Sequence, residues 1–435
     1  MKPWHSAAAA LLLGAAACAP PPAAPGPLPA PLPPAAPPAA PPLAPPAPPA
    51  RVPDAVTTLA TPVRVGLVVD SASVEVGADD RFMVRTADGR VVARVNSGET
   101  VRFSSAADGI SLRTSGGQTQ SGLRAPLTVE APEGILRLRN NPYRGVFLVQ
   151  QSPRGGITLV NRLDMESYLL GVVPKELGRV TPDIMEAAKA QAVAARTYAV
   201  RYLGRRSTQG FDVYATVEDQ VYGGVTGETP LISEAVLGTV GEVMQYNGQP
   251  IVAYYHSTCA GRTAAIDEVW NEGPIPYLVS VVDVNPATGE AYDRSSSRFT
   301  WTERWTGPQL VSTLNKTLAD SLRGRRITRV TDMRVLTRTP SGRVRAMAID
   351  TDAGRFTVGR DRVRWILTPM RGGILNSSKF DVRMSPDGGA VIEGGGWGHG
   401  IGMCQVGAMG RARAGQNYRT ILRAYYPGTE IRKVY

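Results

Sequence analysis

Apolar positions recur along this chain in two rhythms, and the change falls near residue 164. From Val63 to about Val160 they come in short β-branched runs, such as Val63 to Val69, Arg81 to Arg85 and Val91 to Val95. Turn formers like Ala78-Asp79-Asp80 and Ala87-Asp88-Gly89 separate them. Branched side chains pack well on a pleated surface and lose rotamer freedom in a helix, so this pattern predicts strands. Tyr143 to Gln150 and Gly156 to Asn161 read as a hairpin about Pro153-Arg154-Gly155.

After Asp164 the spacing becomes helical. Met165, Tyr168, Leu169 and Val172 fall at i, i+3, i+4 and i+7, with Asp164 as N-cap. Pro174 is predicted to end this helix, because proline has no N–H to donate. A second helix is predicted from Thr181-Pro182, a cap and first-turn proline in the preferred order, to about Tyr202. Its alanines (Ala187, Ala188, Ala192, Ala194, Ala195, Ala199) permit close backbone approach and predict a central, buried helix. Glu176 thereby falls in the short connection between two helices, before the positive end of the second. Later segments alternate strands with helices. The fold class expected is α+β: a β-rich part over residues 61–160, then a mixed α/β core over 161–435 with an inserted mixed section at about 290–390.

The N-terminus reads differently. Residues 1–18 resemble an export signal: Lys2 is basic, and Ala7 to Ala17 is apolar but too short to span a bilayer. Cys18 follows small residues, as in a bacterial lipobox whose cysteine is acylated, although Ala15 stands where such signals usually carry leucine. The alternative is cleavage after an Ala-x-Ala site and a soluble secreted protein. Residues 19–60 form a Pro/Ala-rich linker. Its almost purely proline and alanine stretch, residues 19–50, extended as polyproline II at about 3.1 Å per residue would reach roughly 100 Å. The chain carries 48 Lys and Arg against 37 Asp and Glu. Such a balance attracts polyanions, and for an exported protein that means envelope polymer or anionic lipid rather than nucleic acid.

Beyond the leader, the histidines and cysteines are His256, Cys259, His399 and Cys404, in two short segments far apart in sequence. Their pairing predicts that the segments meet in space. Three readings stand: a closed structural zinc site of two His and two Cys, a Cys259–Cys404 disulfide, or a catalytic zinc with an open position. No His-Glu-x-x-His zinc-hydrolase segment is present, nor a Gly-x-Ser-x-Gly elbow.

Six segments stand out in order: Asn161 to Leu169 continuing as Gly171-Val172-Val173-Pro174-Lys175-Glu176; Ala190 to Ala199; Asp219 to Gly224; Ala253 to Cys259; Gly396 to Gln405; and Tyr425 to Thr429. Together they resemble the SpoIID/LytB family, named for stage II sporulation protein D and an amidase-enhancing protein. The resemblance implies a lytic transglycosylase that cuts peptidoglycan glycan strands, preferring strands without stem peptides, and a cell-wall amidase as a possible partner. It places the catalytic acid at Glu176 and favours the structural zinc. Members commonly carry tryptophan after the position of Gln405, where this chain has Val406. Residue chemistry adds candidates for substrate contact: Gln191 and Arg196 on the central helix, Tyr222 and Tyr254 as stacking rings, and glycine-flanked Trp397. The competing expectation is a wall-binding protein that stimulates an amidase without cutting glycan.

Overall fold

The computed structural model describes residues 62–132 and 134–435. The expected export signal of residues 1–18, its Cys18 and the linker of residues 19–60 lie outside the described residues. No helix among the described residues is long and apolar enough to cross a membrane.

The β-branched runs build two sheets. The larger has the spatial order Val213–Tyr214, Val63–Ser71, Ile157–Leu163, Val146–Gln151, Leu127–Glu130, Phe82–Arg85 and Val91–Val95. The other contains Asn141–Tyr143, Leu136–Leu138, Ser73–Ala78, Thr100–Ala106, Gly109–Thr114 and Thr119–Leu123. Alternation decides which face is inside: Val101 and Phe103 are buried while Arg102 between them is exposed. Val63–Ser71 pairs antiparallel with Ile157–Leu163 and parallel with Val213–Tyr214, a strand that follows two helices. The β-rich and helical parts therefore share a sheet, and one hydrophobic core runs from Val63 to Tyr426. A separate core spans Trp301 to Ile392 and belongs to the inserted section. That section holds two three-stranded sheets and the helix Gly307–Thr317. The class is α+β.

Helix α1 (Met165–Leu177) begins where Asp164 accepts the Ser167 N–H at 2.9 Å. It is buried on all sides from Met165 to Pro174, the mark of a helix inside a core. It does not stop at Pro174. The proline sits in the last turn, where its missing N–H forfeits a single bond, and the chain turns only at Gly178 (φ 71°). A 3-10 turn, Pro182–Ile184, leads into α2 (Met185–Tyr202). Helix α2 packs against α1, α3 (Pro230–Leu237), α4 (Gln405–Arg413) and α5 (Tyr418–Tyr425). Its alanines are fully buried, and the absence of longer side chains is what lets four helices approach one.

Arg196 of α2 does not face a ligand. It is completely buried against Glu166 of α1, with Nε to Oε1 at 2.9 Å and Nη2 to Oε2 at 2.6 Å. It also donates to the carbonyls of Glu242 and Val236, while Glu166 accepts from Gly241 N–H and the Tyr435 hydroxyl. The expectation that Arg196 contacts substrate is corrected: its donors are used on Glu166 of α1 and on the carbonyls of Val236 and Glu242. Breaking one side of a buried pair strands the other charge without water. Arg196→Met is expected to lower unfolding free energy by about 3–5 kcal/mol, measured by urea denaturation. A loss below about 1 kcal/mol would refute this account of the pair.

Candidate active site

Two loops far apart in sequence meet through a short parallel pairing, Tyr255 with Met403 and His256 with Cys404. The pairing forms one wall of a cleft of about 560 Å³. Glu176, Val221, Ala253, Tyr254, Tyr255 and Trp397 line it, with His256, His399 and Gln405. Two larger hollows, of about 920 and 710 Å³, are lined mainly by the inserted section and contain neither Glu176 nor a histidine.

Glu176 lies in the last turn of α1, not in an inter-helix connection as the sequence predicted, because α1 continues through Pro174. This reverses one electrostatic expectation. The carboxyl sits near the carbonyl end of a helix, where partial negative charge disfavours ionisation. Its Oε1 accepts the Val221 N–H at 3.0 Å and its Oε2 accepts Gln405 Nε2 at 3.3 Å. Burial pushes its pKa above the ordinary carboxyl range, against the opposing pull of the Val221 N–H, Gln405 and the Tyr255 hydroxyl. Gln405, Tyr255 and the Val221 amide were not singled out from sequence. Gln405 and Tyr255 lie inside recognised segments, but nothing in their residue types marked them.

The other candidates divide. Tyr254 and Trp397 line the cleft, and Trp397 is 48% exposed with the Arg298 guanidinium 5.3 Å from its ring centre. Tyr222 does not line it. Its hydroxyl donates to Asn161 at 2.8 Å and its ring packs on Tyr143 and Tyr168, so it is a core residue. Gln191 is fully buried one step behind the cleft, with Oε1 3.5 Å from Gln405 Nε2. It supports the residue that holds Glu176.

The His/Cys quartet does not converge as one ligand set. His399 uses both ring nitrogens on backbone: Nδ1 accepts Ile401 N–H at 3.0 Å, so Nε2 carries the proton facing the Tyr255 carbonyl at 2.9 Å. His256 Nδ1 is 3.2 Å from the Ile401 carbonyl, and its Nε2 has no hydrogen-bond partner among the described residues. Burial lowers the pKa of both imidazoles, that of His399 to about 4. The donor atoms that do gather are Cys259 Sγ, Cys404 Sγ and an Asp293 carboxylate oxygen, all within 4.8 Å of one another. Both thiols are free and buried. Asp293 also accepts the backbone N–H groups of Cys259, Ala260 and Gly261, fixing the loop that carries Cys259. Two sulfurs and one carboxylate at this spacing fit zinc. The correction is to the donors: Asp293 joins the cysteines, and the histidines stand outside.

Glu176 provides a stability test. Its carboxyl binds a proton more tightly in the folded than in the unfolded chain, so wild-type stability falls as pH rises from the ordinary carboxyl range through the raised value. Glutamine carries no such charge. The stability of Glu176→Gln relative to wild type is therefore expected to rise across that window in urea unfolding at stepped pH. A pH-independent difference would contradict the burial.

A family profile described as Stage II sporulation protein matches residues 153–246, and a domain of unknown function matches residues 287–402. Stage II sporulation protein D of Bacillus subtilis is 33% identical over 287 residues, covering 62% of this chain and 75% of that protein. An uncharacterized protein of Brachyspira hyodysenteriae is 33% identical over 280 residues, 63% of this chain and 68% of its own length. The amidase enhancer of Bacillus subtilis is 30% identical over 299 residues, and the match spans only 40% of it. Identity at this level across three quarters of the sporulation protein (75%) means that the chain belongs to the stage II sporulation protein D family.

Proposed function

We propose that this protein acts on the cell wall as a lytic transglycosylase, cleaving peptidoglycan glycan strands with Glu176 as both acid and base. The observation that carries the reading is a half-buried carboxyl whose pKa burial raises, in an aromatic-lined cleft. Hydrolytic glycosidases use two carboxyls. Here the other acids of the cleft are otherwise placed: Asp219 is held by Arg206 at 2.8 Å, the Tyr198 hydroxyl and Tyr214 N–H, and Glu218 is exposed.

In the proposed reaction the protonated Glu176 gives its proton to the glycosidic oxygen as the C1–O bond of the muramic residue breaks. The leaving sugar departs with a free hydroxyl. The C6 hydroxyl of the muramic residue then bonds to C1, closing a 1,6-anhydro ring, and its proton returns to Glu176. No water is consumed. Gln405, Tyr255 and the Val221 amide hold the carboxylate in the form that receives the second proton. Trp397 and Tyr254 offer apolar ring faces to the sugars.

Cys259, Cys404 and Asp293 would hold a zinc ion, whose contribution would be to tie the Cys259 loop to the N-terminus of α4. Export through residues 1–18, acylation at Cys18 and tethering by the linker complete the proposal, with the domain at the envelope, facing the wall.

Glu176→Gln is expected to fold and bind strands yet release anhydro-muramic products about 10²–10⁴-fold more slowly, as read by mass spectrometry of digests of stripped glycan. Undiminished release would sink the assignment. The name of the amidase enhancer among the relatives supports a second reading, stimulation of a partner amidase. It predicts that amidase stimulation survives in the same variant. For the metal, purified protein is expected to carry about one zinc per chain, lost in Cys404→Ser but kept in His399→Gln. Loss in the second would return the histidines to the site, and retention in the first would remove Cys404 from it.

A further inference from the structure

We propose that Lys175 is the residue by which the cleft recognises glycan stripped of stem peptides, by pairing with the free lactyl carboxylate of a muramic residue. This rests on the glycan-cleaving reading above and names how its substrate is chosen.

Lys175 immediately precedes Glu176, is exposed, and lines the same cleft. Its side chain is laid across Gly223: a Cβ built at that glycine would be 2.1 Å from Lys175 Cε and 3.2 Å from its Cγ and Cδ. Gly223 is not among the glycines with positive φ, so what it supplies here is room and not conformational freedom. Any larger residue would lift the lysine off this path. Among the described residues Lys175 has no ion-pair partner. The nearby cations are otherwise engaged: Arg206 holds Asp219, and Arg298 lies over Trp397. Asp219 is spent, and Glu218 on the rim is not paired with the lysine. The cleft therefore presents one uncommitted positive charge beside its acid.

The substrate offers one charge to match it. In a strand bearing stem peptides, the lactyl carboxyl of each muramic residue is tied up in an amide. In a stripped strand it is a free carboxylate, on the same sugar whose C1–O bond is cut. A lysine ammonium, a compact charge with three donors on a flexible stem, suits a carboxylate arriving at varied angles. Placed at the surface, such a pair gives a modest and salt-sensitive preference.

The test uses full-length protein and stripped glycan strands in two forms, with lactyl carboxyls free or converted to methylamides. Binding is measured by co-sedimentation with the Glu176→Gln protein, which does not need turnover, and cleavage with the otherwise wild-type chain. The free-acid strands are expected to bind about three- to fivefold better. That ratio should fall to about one in Lys175→Met and be largely kept in Lys175→Arg. In cleavage the change should appear mainly in KM, and high salt should compress it. A binding ratio unaltered by Lys175→Met, or no wild-type preference at all, overturns the proposal. A lysine that acted only on the Glu176 proton would shift the pH profile for both substrates alike and leave the ratio intact, which also overturns it. Absence of anhydro ends from either strand would instead strike at the lyase reading, while the binding ratio still judges Lys175.

Discussion

The short parallel pairing of Tyr255 and His256 with Met403 and Cys404 is the constraint on which the site depends. It joins segments 145 residues apart, as counted from Cys259 to Cys404. On one side it sets Tyr255 into the cleft. On the other it ends at Cys404, whose sulfur caps α4 by accepting the Gly407 N–H at 3.3 Å. The next residue, Gln405, then reaches Glu176. A slip of one residue would turn these side chains to opposite faces, so register here is a chemical requirement.

The inserted section braces this pairing from outside. Trp301 Nε1 donates to the Gly396 carbonyl at 2.9 Å, Lys379 Nζ to the Ala260 carbonyl at 2.7 Å, and Gly398 N–H to the Asn376 carbonyl at 2.9 Å. The first and third of these bonds hold the glycine-rich segment before His399, whose glycines have no side chains to pack, and the second holds the loop after Cys259. They also set Trp397 at the mouth of the cleft. The insertion thus contributes to the site through the backbone it fixes, while its own core remains separate.

Polarity is sorted sharply around the cleft. The buried ion pair of Arg196 and Glu166 and the cluster of Asp283 with Arg411 and Tyr425 are satisfied and structural. By contrast, Gln191 Nε2 and His256 Nε2 are buried without partners among the described residues. Polar groups left so are costly, and they persist where structure is organised for something other than stability alone. Both border the cleft, His256 lining it and Gln191 standing behind Gln405, whereas other buried groups without partners among the described residues, the Arg343 guanidinium among them, lie elsewhere.

Periodicity and end signals made much of the scaffold legible. The strands from Val63 onward, the cap at Asp164, the burial of the alanine-rich helix and the meeting of two His/Cys segments all follow from local chemistry. Glu176 was singled out only through the order of six segments, since nothing local separates a candidate acid from a capping carboxylate, and its place in the last turn of α1 was not foreseen. Tertiary structure decided the rest. It carried α1 past Pro174, because a proline in a last turn forfeits one bond while burial of the helix is retained. It assigned Arg196 and Tyr222 to the core, because an ion pair and a hydroxyl bond are made by residues distant in sequence. It drew Asp293 to the cysteines and turned the histidines to backbone carbonyls and amides, since which lone pair is free depends on neighbours that only folding supplies.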